Sequence, residues 1–110
     1  MIQWSRVSEL RNEIGEEDFK EVVELFLEEV DVVTTRLRFG SNMDDLEQDL
    51  HFLKGSALNL GFAAFSALCQ DGERMAASGR ASKVNLNEIL DGYEASRAVF
   101  IAELPKRVAA

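Results

Sequence analysis

A chain of 110 residues with 46% apolar content is long enough to enclose one hydrophobic core and too short for two comfortable ones, so residues 1–110 are read as a single domain. Its 12 lysines and arginines stand against 20 aspartates and glutamates, and the net charge of −8 argues against nucleic acid, whose binding needs cations to displace the counterions of the phosphates. The single cysteine, Cys69, excludes an internal disulfide and fits a reducing compartment; no apolar run nears the roughly 20 residues that span a bilayer, and Met1-Ile2-Gln3-Trp4 lacks the basic region of a signal peptide, so no membrane role and a cytoplasmic location are expected.

Glycines and capping residues divide the chain into five helical stretches. In the first, about residues 4–14, Trp4, Val7, Leu10 and Ile14 recur at helical spacing and Gly15 closes the run. The second extends from Glu16 to about Arg38, with Phe19, Val22, Val23, Phe26, Val30, Val33 and Leu37 on one face. Acids crowd its start and arginines its end, as the helix dipole favours, and Gly40 stops it. Ser41 or Asn42 is a candidate N-cap for the third helix, with Asp44 and Asp45 in its first turn and Met43, Leu46, Leu50, Leu53, Ala57 and Leu60 as its buried stripe before Gly61. The fourth carries Phe65, Leu68, Cys69, Met75 and Ala76 inward and stops near Gly79; residues 79–84 read as a loop. Asn85 or Asn87 caps the fifth, whose inward residues are Leu86, Ile89, Leu90, Tyr93, Phe100 and Leu104 and whose end is marked by Pro105. Short connections make consecutive helices antiparallel neighbours. The expected fold is all-α: an up-down-up-down four-helix bundle with an additional N-terminal helix at one end or side.

The third helix holds the one histidine of the chain, His51, in the run His51-Phe52-Leu53-Lys54-Gly55-Ser56. At 100° per residue His51 points about 140° away from the centre of the buried stripe, toward water. Lys54 and Gly55 flank it one turn later, and Glu47, Gln48 and Leu58 lie on the same side. A histidine and a lysine on a polar face are more often plain surface residues. Gly55 weighs against that reading, because a mid-helix glycine costs about 1 kcal/mol relative to alanine and here leaves a gap beside an exposed imidazole that another protein's surface could enter.

The segment His51-Phe52-Leu53-Lys54-Gly55-Ser56-Ala57-Leu58-Asn59-Leu60-Gly61 resembles the signature of histidine phosphotransfer (HPt) domains of multistep two-component signalling. In that signature a helix carries a histidine, a lysine three on, a glycine four on, a small residue next, and a glycine ten on. The order of five helices and the mid-bundle histidine are also similar to that family. Two positions depart from it. Gly72 stands where an apolar side chain is usual, which leaves the packing of the fourth helix open there, and Glu73 stands where several members have a glutamine that bonds the imidazole.

The resemblance implies that His51 is the phosphoacceptor: Nε2 of the neutral ring attacks a receiver-domain phosphoaspartate, and the reverse step passes the group to another receiver. Lys54 would stabilise the equatorial oxygens and Gly55 would admit the partner's loop. Gln48, Ser56 and Glu73 are candidate supporting residues, with Ser56 packing or bonding locally rather than catalysing; exposed Phe52 and Leu58 are candidate partner contacts. The implied partners are response-regulator receiver domains and a hybrid sensor kinase, with magnesium expected on the receiver and no cofactor bound by this chain. Without a glycine-rich nucleotide loop or a second domain, autokinase activity is not expected. Scattered acids and one histidine give no metal-ligand spacing. No surplus apolar face demands a dimer, so a monomer is expected. The competing reading is an acidic helical adaptor that binds a receiver or another partner without carrying phosphate.

Overall fold

In a computed structural model, which describes residues 1–40 and 43–108, the described residues form five α-helices and no strand. These are α1 (Trp4–Ile14), α2 (Glu16–Phe39), α3 (Leu46–Leu60), α4 (Ala63–Ala77) and α5 (Leu86–Val108). Each of α2 to α5 packs against the next and α5 returns to α2, which is the four-helix bundle expected from the spacing of apolar residues; its extents are 46 × 22 × 21 Å. Among the described residues no helix is long and apolar enough to cross a membrane.

The buried stripe of α2 is Phe19, Val23, Leu27, Val30, Thr34 and Leu37. Val22, Phe26 and Val33, expected on the same face, are half-buried flanks. Thr34 tolerates burial because its hydroxyl donates to the Val30 carbonyl oxygen, 2.9 Å away. In α3, Leu46, Leu50, Leu53, Ala57 and Leu60 are buried as expected. Met43 is not: residues Met43–Asp45 form a 3-10 turn, whose tighter winding carries Met43 off the stripe and leaves it 44% exposed. Asp45 rather than Asp44 stands at the helix boundary, and the N-cap expectation at Ser41 or Asn42 lies outside the described residues.

The chain start clamps the turn between α3 and α4. Gly61 adopts φ 78°, a left-handed conformation that favours glycine, and an added Cβ would lie 2.6 Å from the Gln3 carbonyl oxygen. The Gln3 N–H donates to the Gly61 carbonyl oxygen at 2.6 Å, and an isolated antiparallel bridge joins Ile2 to Phe62. α1 then crosses one end of the bundle against α2 and α3, with Trp4 stacked on Phe100 at 5.8 Å.

At Gly72 the neighbours fill the space that a side chain would take. A Cβ there would approach Leu50 Cδ1 and Ile89 Cδ1 to 2.9 Å each, so those side chains would have to shift to admit it. Residues 79–84 are more ordered than a plain loop: Ala81–Lys83 form a 3-10 turn, and Ala81 and Val84 pack on the core. Of the two candidate caps of α5, Asn85 takes the role, its Oδ1 accepting the Glu88 N–H at 3.2 Å. Ile89, Leu90, Tyr93 and Phe100 are buried, together with Ser96, which was not expected; Leu86 and Leu104 are half-buried. Pro105 does not end α5. Its missing N–H forgoes one intrahelical bond near a terminus, and the following turn is held by Arg107, whose guanidinium lies 4.4 Å from the centre of the Trp4 ring.

Candidate functional site

Leu50 and Leu53 are wholly buried, and between them the helix turns His51 outward, leaving its side chain 70% exposed. Across the α3–α4 seam, Cys69 and Gly72 face inward and Glu73 follows at the edge of that face, its side chain 18% exposed. The Gly72–Leu50 approach sits next in sequence to both Glu73 and His51. Close packing at that point therefore brings the carboxylate to the ring: Glu73 Oε2 is 3.0 Å from His51 Nδ1.

A carboxylate that is ionised can only accept, so this contact assigns the proton to Nδ1 and leaves the lone pair on Nε2. Nε2 thus carries the free lone pair of a ring whose tautomer is set by the contact at Nδ1.

Lys54 is bound to the same carboxylate. Its Nζ lies 2.6 Å from Glu73 Oε1 and 3.4 Å from Oε2. The Lys54 hydrogen bond, more than that of His51, holds the Glu73 carboxyl below its ordinary range, against the opposing effect of burial. Glu73 therefore stays charged under any condition in which the fold persists near neutrality. One turn below on the same helix, burial pushes the Cys69 thiol up to about 12, with the Glu73 charge adding to the effect.

Gly55 opens beside the imidazole: a Cβ built there would meet nothing within 4 Å. Gln48 is exposed one turn before His51, and among the described residues no hydrogen bond joins it to this cluster. Ser56 is buried and turned about 140° around the helix from His51, which removes it from the reacting face. Phe52 and Leu58 are exposed on α3 at 39% and 56%. The structure brings together His51, Lys54 and Glu73, with Gly55 as the gap beside them; Gln48 and Ser56 stand apart.

Two features lie outside the expectations drawn from the sequence. The Lys54–Glu73 pair joins residues 19 apart across the α3–α4 seam. Leu25 and Val32, exposed at 52% and 64%, line an open groove with Phe52, rimmed by Glu28 and Glu29. Their signal was present: both are apolar residues on α2 outside its buried stripe. Among the described residues no group of three or more His, Cys, Asp or Glu is placed to hold a metal ion.

No curated protein and no solved structure matched the chain. A family model described as the Hpt domain matches residues 6–99. Domains of this kind carry out phosphotransfer in two-component relays and interact with receiver domains. With a model spanning most of its length and a solvent-facing histidine on the third helix of a helical bundle, this chain belongs to the Hpt domain family.

Proposed function

We propose that this chain is a phosphorelay intermediate that takes a phosphoryl group from a receiver phosphoaspartate onto His51 and passes it to another receiver. The observation that carries this reading is the ring geometry: Nδ1 engaged by Glu73 at 3.0 Å, and Nε2 free on a side chain 70% exposed. In the forward step the Nε2–P bond forms as the aspartyl O–P bond breaks, and the aspartate leaves as a carboxylate. The Nδ1 proton stays on the ring. Positive charge that develops on the imidazole as Nε2 gives up its lone pair is met by the Glu73 carboxylate, already ionised and in place.

Phosphoryl transfer asks chiefly for alignment and charge stabilisation, and the chain supplies both without a nucleotide pocket of its own. The receiver contributes the aspartate and its magnesium. The gap at Gly55 admits the receiver's loop, while Phe52 and Leu58 on α3 offer apolar contacts that Leu25 and Val32 on α2 extend at Phe52.

Incubation with a phosphorylated receiver domain tests the reading. Acid-labile, base-stable label on the wild-type chain, absent from His51→Gln, is the expected result. Stable binding of the receiver with no label transferred would instead make the chain an adaptor.

A further inference from the structure

Glu73 binds Lys54 on the Nδ1 side of the imidazole, whereas the phosphoryl group is attached at Nε2, on the other side of the ring. The Lys54 ammonium is therefore committed to an anion other than the one it would stabilise. Its side chain is 24% exposed and that of Glu73 18%, so the pair is shielded enough for the commitment to matter. Glu73 also holds His51, and its Oε1 has Lys54 at 2.6 Å but no well-directed hydrogen bond.

The geometry points to a competition: Glu73 and the histidine-borne phosphoryl group contend for the single ammonium of Lys54, and Glu73 is a positioning residue that limits how far Lys54 stabilises the phosphorylated form. This rests on His51 being the phosphoacceptor and adds how its phosphorylated state is poised. Before transfer, Lys54 neutralises Glu73. After transfer, the ammonium moves to the phosphoryl oxygens and leaves Glu73 with the Nδ1–H alone. Lys54 then contributes the difference between its two pairings rather than the whole of the second. A relay intermediate gains from this, because a phosphohistidine bound too well would become a sink and fail to pass its group on.

The consequence is a coupling of definite sign. With Glu73 present, Lys54→Ala removes a small net preference for the phosphorylated state. With Glu73→Gln, which keeps an oxygen to accept from Nδ1–H, the lysine starts unpaired and its full interaction with the phosphoryl group is exposed.

Phosphoramidate provides a test that needs no partner protein: its N–P bond breaks, the Nε2–P bond forms, and ammonia leaves. Wild type, Lys54→Ala, Glu73→Gln and the double variant would be held in one phosphoramidate and ammonium buffer, and the ratio of phosphohistidine to histidine read by 31P NMR. Lys54→Ala should lower that ratio at least about threefold more in the Glu73→Gln background than in wild type, as expected for contacting charged groups. An equal factor in the two backgrounds would show that the residues act independently and overturn the competition. A smaller factor without Glu73 would also overturn it, since the carboxylate would then be helping Lys54. Absence of phosphohistidine in wild type would overturn the acceptor reading itself, an outcome distinct from the other two.

Discussion

Gly55 on α3 and Gly72 on α4 are both interior helical glycines, and both cost helix stability of about 1 kcal/mol relative to alanine. Their surroundings are opposite. A Cβ at Gly72 would press on Leu50 and Ile89 at 2.9 Å, whereas one at Gly55 would meet nothing within 4 Å. At Gly72 the loss is offset inside the molecule, by close approach of three helices. At Gly55 the space beside the helix is open, the gap that the proposed docking of a receiver would use. Identical residues in identical secondary structure thus divide into one packed against the core and one beside open space.

The largest effect is expected one turn before Gly55, at His51. His51→Gln should abolish phosphoryl acceptance while changing stability by no more than about 0.5 kcal/mol, since the side chain is 70% exposed and its bond to Glu73 is open to solvent. Transfer assays and thermal melts on one preparation check both halves. Next comes Gly55→Leu, expected to block transfer from a receiver while folding as stably as wild type or more so, by up to about 0.8 kcal/mol. Phosphoramidate, far smaller than a receiver, should still label this variant. Normal transfer from the receiver would remove the docking explanation for the glycine.

Gly72→Leu should do the reverse. Overpacking against Leu50 and Ile89 is expected to cost about 1–3 kcal/mol in denaturant unfolding, and to widen the seam that seats Glu73 against His51. An unchanged unfolding midpoint would break the comparison from that side.

The smallest effect is electrostatic. Because the folded value of Glu73 lies below the ordinary carboxylate range, its pairing adds stability at pH values above that range. That contribution is lost as pH falls through the lowered value. Melting temperatures of wild type and Glu73→Gln should therefore converge toward acid pH; a constant gap across the acid limb would mean that the ion pair contributes nothing to the fold.

The sequence made the bundle legible because apolar spacing reports burial directly: Leu46, Leu50, Leu53, Ala57 and Leu60 are as buried as their period implies. It failed where a local backbone choice shifted the phase, as at Met43, or where a polar side chain satisfied itself, as Thr34 does on the Val30 carbonyl. Pro105 misled because one lost hydrogen bond near a terminus is a small matter once Arg107 covers Trp4. At the site, the outward aim of His51 and the gap at Gly55 follow from helix phase alone. The carboxylate that binds both His51 and Lys54 does not, since its reach depends on how closely α3 and α4 approach across their seam.

Cys69 turns this architecture into its own gauge. The thiol is wholly buried at the α4 face turned toward α3, and with its pKa pushed up to about 12 it is almost entirely protonated at neutral pH. A thiol-specific alkylating reagent therefore has no thiolate to attack until α4 parts from its neighbours. As the one cysteine of the sequence, it allows the labelling rate to be read without correction for other thiols. That rate reports any opening, local or global, that exposes the helix seam beneath Glu73, and under the proposed function it can be compared before and after phosphoryl transfer.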